Sequence, residues 1–185
     1  MNFKRFPLPD LAAHLSDYLR GQGIEVVLSG GACVTIYSQN KYLSYDLDFV
    51  LTSYVARRKL RETMRTIGFS EDGRHFRHPD TPFIIEFLSP PLSVGEEPVK
   101  NITEIIKRDK ILKLLSPTDC IKDRLEAFYH WNDRQSLEQA ILVGLSQRVD
   151  LREIRRWSLG EGTAEKLAIF RESLKKRRAA HRLHR

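Results

Sequence analysis

The stretch DLDFVL, residues 46–51, limits what this chain can fold into more than any other segment. It places two carboxylates one residue apart in a run that otherwise reads as a buried strand. Strand side chains alternate between faces, so Asp46 and Asp48 share one face while Leu47 and Phe49 take the other. Like charges side by side on a sheet repel, so a fold that keeps both acids must bring a cation to them. Glu86 poses the same problem in FIIEFL, 83–88, where Ile85 and Phe87 flank it. An acid in an apolar strand needs a partner to offset its desolvation.

One kind of cation accounts for all three acids. Mg²⁺ or Mn²⁺ takes hard oxygen ligands and keeps waters and substrate phosphates in its shell. Asp46, Asp48 and Glu86, on two neighbouring strands, form a candidate metal-binding and catalytic set. Upstream, VLSGGA reads as a strand, a sharp turn and a helix start. Free backbone N–H groups at a helix start bind phosphate, and glycine allows close approach. Ser29, Gly30 and Gly31 are therefore candidates to hold nucleotide phosphates, and Ser44, just before the acids, is a further candidate. Simpler roles stay open: Glu86 pairing with an arginine across the sheet, and Ser44 ending a loop.

The rest of the chain supplies a scaffold. Asp10 can cap a helix to about residue 20, IEVVL at 24–28 reads as a strand, and residues 55–67 read as a helix with Leu60, Met64 and Ile67 on one side. Short strands are expected over 69–88, a loop over SPPLSVGEEP, and an edge strand at KILKLL. Then SPTD, 116–119, starts a helix. Further helices are expected at about 134–147, from Asp150, and at 163–180. The pattern predicts an α+β fold: a mixed sheet with flanking helices over residues 1–115, a helical region over 116–170, and a basic tail over 171–185.

Composition adds bounds. At 185 residues and 41% hydrophobic content the chain can build one good core. No apolar run is long enough to span a membrane, and MNFKRFPLPDLAAHL lacks the apolar core of a signal peptide. Two cysteines, Cys33 and Cys120, speak against a disulfide framework and for a cytoplasmic setting; both are expected to be small buried hydrophobes. The net charge is +7, and residues 171–185 hold seven Lys/Arg against one Glu. Such a tail reads either as a nucleic-acid contact or as a solvated helix end. His75 and His78 are expected at the surface, and Trp131 and Trp157 between helices.

Taken together, strand–SGG–helix, DLDF and a later strand with one more acid resemble the nucleotidyltransferase superfamily of DNA polymerase β type. More narrowly, they resemble the AbiEii-like nucleotidyltransferases, many of them toxins of type IV toxin–antitoxin pairs. LLSPTDCIKDRLEAFYHWNDRQSLEQA, 114–140, extends the resemblance: a leucine-rich strand, an SP-x-D helix start, a basic residue in that helix, and an aspartate opening the next helix. Lys122, or Arg124, takes the basic place, and Asp133 the acidic one. For Lys122 the plainer role is a solvated helix lysine; for Asp133 it is a helix cap. The resemblance implies a Mg²⁺-dependent enzyme that transfers a nucleoside monophosphate from an NTP to a hydroxyl of RNA (tRNA included), a protein or a small molecule. It also implies an antitoxin-like protein partner. The alternative is a catalytically inactive relative that binds a partner or nucleic acid.

Overall fold

The computed structural model describes residues 3–183. Its centre is a seven-stranded mixed sheet of order β3-β4-β5-β2-β1-β9-β8. The strands are β1 (Val26–Ser29), β2 (Asp46–Leu51), β3 (Ser70–Asp72), β4 (His75–Arg77), β5 (Ile84–Leu88), β8 (Ile102–Lys107) and β9 (Lys110–Leu115), with β6 (Ser93–Val94) and β7 (Glu97–Pro98) forming a separate small hairpin. Around them lie α1 (Leu8–Gly21), α2 (Gly30–Tyr37), α3 (Arg57–Thr66), α4 (Pro117–Trp131), α5 (Arg134–Ser146), α6 (Leu151–Gly160) and α7 (Ala164–Leu183). The α+β expectation holds, with four helices following the sheet.

The strands that carry the acids are central. β2 runs antiparallel to β1 and parallel to β5, which brings Ser29 and Glu86 opposite Asp48 on its two sides. Leu47, Phe49 and Ile85 anchor these strands in the core, each fully buried. Core burial on one face fixes register, because a one-residue slip would turn every side chain over. That packing is what sets Asp48 beside Glu86.

Local signals explain the helices of the second half. The Ser116 hydroxyl accepts the Asp119 N–H at the start of α4, Asp133 accepts the Gln135 N–H at the start of α5, and Asp150 accepts two N–H groups at the start of α6. Asn132, with φ 54°, turns the chain between α4 and α5. α4 and α5 both pack on α2, at whose start Gly30 and Gly31 are buried.

Several expectations need correction. KILKLL is not an edge strand: β9 lies between β1 and β8, and its Leu112, Leu114 and Leu115 are buried by neighbours on both sides. The edge on that side is β8, whose Ile106 is exposed. Asp10 does not cap α1. Pro7 takes that place, and the Asp10 carboxylate, in the first turn, accepts from Arg108. The loop 89–98 contains the β6–β7 hairpin. His78 is buried against Phe3 and Phe69, because the N-terminal segment covers it. Trp157 is buried as expected, but Trp131 is 75% exposed at the end of α4, where the chain turns away. Both cysteines are free and buried. No helix among the described residues is long and apolar enough to cross a membrane.

Candidate active site

The site begins with Gly30. Its φ is +65°, a region that costs other L-residues strain, and it opens α2 directly after β1. A Cβ at this position would stand 2.2 Å from Oδ2 of Asp48. Glycine is therefore required here for two reasons, backbone conformation and room for the carboxylate of the opposite strand. Gly31 is tight too: its Cβ would meet Oγ of Ser44 at 3.1 Å and the ring of Tyr42 at 3.4 Å. The N-terminus of α2, with its free N–H groups and positive dipole end, thus lies against Asp48 and the 42–44 loop.

The two serines brace the acids through the backbone. Ser29 Oγ donates to the Asp48 carbonyl at 3.1 Å. Ser44 Oγ donates to the Asp46 carbonyl at 3.0 Å and accepts the Asp46 N–H at 3.2 Å, holding the start of β2. Asp46 is exposed at the mouth of the sheet, whereas Asp48 is partly buried. Burial pushes the Asp48 carboxyl up to about 6; the Arg124 guanidinium opposes this, while Glu86, Asp46 and Asp123 reinforce it. Asp48 is an acid whose charge the fold leaves under-compensated.

Glu86, on β5, stands opposite Asp48 on β2 but faces Arg74 and His75. Arg74 Nε lies 3.4 Å from Glu86 Oε1, and His75 Nε2 lies 3.4 Å from Oε2. Both come from β4 and the turn before it. Among the described residues, no three His, Cys, Asp or Glu side chains are grouped closely enough to form a ready metal nest. Asp46 and Asp48, with Glu86 in register, still offer the hard carboxylate donors that suit Mg²⁺ or Mn²⁺. The raised Asp48 pKa marks a place where added positive charge is favourable. Asp46 and Asp48 are carboxylates of the kind that could hold a divalent cation, without a third acid grouped beside them among the described residues.

The cation the fold itself supplies is Arg124, not Lys122. On α4 its guanidinium donates to the neighbouring Asp123 at 2.9 Å, reaches Gln139 Oε1 at 3.4 Å, and acts electrostatically on Asp48. Burial disfavours its charge, but Asp123 and Asp48 more than offset this and raise its pKa. Lys122, two residues earlier, points elsewhere. Its Nζ is 2.6 Å from Glu153 and 3.2 Å from Asp119, in a polar cavity also lined by Glu97, Asp150 and Arg156. Asp133 caps α5, and its carboxyl is held low first by the Ser136 hydroxyl, then by backbone N–H groups and Arg124. It lies close enough to act on Tyr42, as do Asp46 and Asp48.

No protein-family model matches the chain, and no curated protein matches it in sequence. Solved structures do match in fold. An antigenic nucleotidyltransferase-like protein from Paracoccidioides brasiliensis superposes with a TM-score of 0.63 at 16% identity, covering 91% of this chain and 92% of that one. The fold is nucleotidyltransferase-like. The antibiotic-resistance factor ANT(2'')-Ia matches with a TM-score of 0.53 at 14% identity in its solution structure, over 96% of this chain and 95% of that one. Its crystal structure with adenylyl-2''-tobramycin matches with a TM-score of 0.50 at 13% identity, over 90% and 98%.

On this nucleotidyltransferase-like fold, register and packing bring Ser29, Gly30, Gly31, Ser44, Asp46, Asp48 and Glu86 to one end of β1, β2 and β5; Asp133, at the α5 cap, acts on them only through Tyr42 and Arg124, and Lys122 is held elsewhere by Asp119 and Glu153. Sequence reasoning missed Tyr42. Its hydroxyl pKa is raised, first by burial and then by Asp46, Asp133 and Asp48, while Arg124 works against them. Nothing in SQNKYLSYD marks Tyr42 out, because its place depends on how the loop returns over α2. His75 is expected only at the surface and nothing in the sequence singles out Arg74; the β4–β5 register, with His75 opposite Glu86, brings the two to that acid.

Proposed function

We propose that the protein is a divalent-metal-dependent nucleotidyltransferase that transfers a nucleoside monophosphate from an NTP to an acceptor hydroxyl. The observation that carries this is the placement of an under-compensated Asp48 against the Gly30 turn at the start of α2. Carboxylates beside a phosphate-binding helix start make sense when a cation and a polyphosphate arrive together. The divalent ion, when bound by Asp46 and Asp48, supplies the positive charge that draws the triphosphate in and offsets charge on the reacting phosphate. The N–H groups of the α2 turn orient that triphosphate. Arg124 keeps Asp48 in place and adds positive charge behind it. Glu86 takes the acceptor proton as the acceptor oxygen bonds to the α-phosphorus; the bond to the bridging oxygen breaks and pyrophosphate leaves. The match to a structure holding adenylyl-2''-tobramycin supports a nucleotidyl group as the moiety handled.

With an RNA acceptor and an antitoxin-like partner, the activity is of the toxin type that the SGG and DLD segments suggest. With a sugar or amino-sugar acceptor it is a modifying enzyme. A second reading, an inactive partner-binding relative, is favoured by one observation: Glu86 is already engaged by Arg74 and His75. Incubation with each α-labelled NTP, Mg²⁺ or Mn²⁺, and total RNA, an aminoglycoside or the protein alone decides between them. Label transfer that is lost in Asp48→Asn supports the enzyme. No transfer to any acceptor, with no NTP binding, leaves the partner-binding reading.

A further inference from the structure

Cations on the sheet side of the molecule are mostly paired. Arg57 and Arg61 share Glu71, Lys110 holds Asp17, and Lys113 holds Glu25. On the last helix Arg177 pairs with Glu138 and Lys166 donates to the Phe128 and Tyr129 carbonyls, but one face is different. Arg171 and Lys175 are exposed and have neither an ion pair nor a hydrogen bond among the described residues, and Arg178 donates only to the Gly144 carbonyl, at 2.8 Å. These three residues line a single open groove of about 640 Å³. Leu151, at the start of α6, and Ala168 give the groove an apolar wall, and Glu172 is the one acid among its lining residues.

We propose that this groove binds the backbone of a single nucleic-acid strand. Residues 171, 175 and 178 are spaced i, i+4 and i+7, so they rise along one helix face. At about 1.5 Å per residue they span roughly 10 Å, which covers consecutive phosphates of one strand. Guanidinium forks suit phosphate oxygens, and two of the three cations are arginines. The groove contains no aromatic ring to stack a base and no amide to read one, so binding is sequence-tolerant and strongly salt-dependent. An anionic membrane is the poorer occupant. A membrane-surface helix offers a bulky apolar face to lipid, whereas Leu167, Phe170 and Leu174 of α7 are buried in the bundle. Arg185, the last cation of the sequence, lies outside the described residues and is not needed for the groove.

The test is fluorescence anisotropy with a labelled single-stranded RNA at several salt concentrations. It compares the wild type, Arg171→Gln/Lys175→Gln, and a charge-matched control, Lys59→Gln/Arg65→Gln, on exposed positions of α3. The substituted groove cations have no partners to lose, so thermal melts should confirm intact folding in both variants. The groove variant should bind about tenfold or more weakly at low salt, and its slope of log K against log salt should fall by about 1.4, two contacts' worth for a single strand. The control should match the wild type. Equal loss in both variants, no RNA binding by the wild type, or a groove variant that loses anionic-vesicle binding while keeping RNA binding would each overturn the assignment.

Discussion

Two cations on α4, the buried Lys122 and the partly buried Arg124, sit two residues apart in opposite situations. Lys122 is enclosed by Asp119 and Glu153, and Glu153 is in turn held by Arg156, which also grips Glu97. That network is closed: the Glu153 carboxyl is held down at about 2, first by Arg156 and then by Lys122. Arg124 spends most of its hydrogen bonds on Asp123 and Gln139 and leaves Asp48 with a carboxyl raised to about 6. A network with every charge answered is structural. A network short of positive charge is one that a cationic ligand completes. The proposed function uses the Arg124 side of this helix.

The sharpest way to break the comparison is at the acids. Asp46→Asn and Asp48→Asn should each lower nucleotidyl transfer by about 10²–10³-fold or more, the loss typical of removing one group that stabilises developing charge. Steady-state transfer assays check this, and near-normal activity in Asp48→Asn would place the chemistry elsewhere. The next effect is on stability. Lys122→Met strands the buried Asp119 and Arg124→Met the partly buried Asp123, so each should destabilise the fold in denaturant melts, by up to about 3 kcal/mol, with the larger loss for Lys122→Met. Below the unfolding transition only the Arg124 variant should lose nucleotide affinity. Equal loss of affinity in both would return Lys122 to the phosphate-binding role its sequence position suggested.

The two networks also differ in sign with pH. Asp48 has a raised pKa, so its stabilising contribution is full below 3.8 and is lost as pH rises through 6. The cost above that window is up to about 3 kcal/mol. Glu153 has a lowered pKa, so its contribution is present above 4.5 and is lost as pH falls through about 2. Being partly exposed and screened, it contributes no more than about 1 kcal/mol. In metal-free buffer, Asp48→Asn should flatten the fall in melting temperature between pH 4 and 7, and Glu153→Gln should not. The smallest expected effect is at the α5 cap. Asp133→Ala removes the bonds to Gln135 and Ser136 and should cost about 1 kcal/mol, with little change in nucleotide binding if the residue serves only as a cap.

The core of this picture was legible in the sequence because short-range rules govern it. Alternation placed Asp46 and Asp48 on one face, the Gly30–Gly31 break announced a turn, and Ser116, Asp133 and Asp150 announced three helix starts. What stayed hidden depends on long-range packing. Lys122 and Arg124 lie on different sides of α4, and nothing local says which side faces the acids; α6 brings Glu153 to Lys122, which leaves Arg124 on the acids' side. KILKLL carries lysines suited to an edge, yet Lys113 reaches Glu25 from inside the sheet. Trp131 looks like a core residue until Asn132 reverses the chain. Tyr42 lies in a loop with no periodicity, and only the fold places it among three aspartates.

The central claim is that Asp48 waits for a cation that arrives with a nucleotide. Thermal melts of wild type and Asp48→Asn at pH 7.5, with NTP and with or without Mg²⁺, test it most directly. Without ligand, Asp48→Asn should melt higher than wild type, because it removes a disfavoured buried charge. With Mg²⁺ and NTP at about a hundred times Kd, the wild type should gain about 2.7 kcal/mol and the variant almost nothing. NTP alone, without metal, should stabilise neither. An Asp48→Asn variant that melts lower than wild type in metal-free buffer, or a wild type that no NTP and divalent ion can stabilise, would contradict the account.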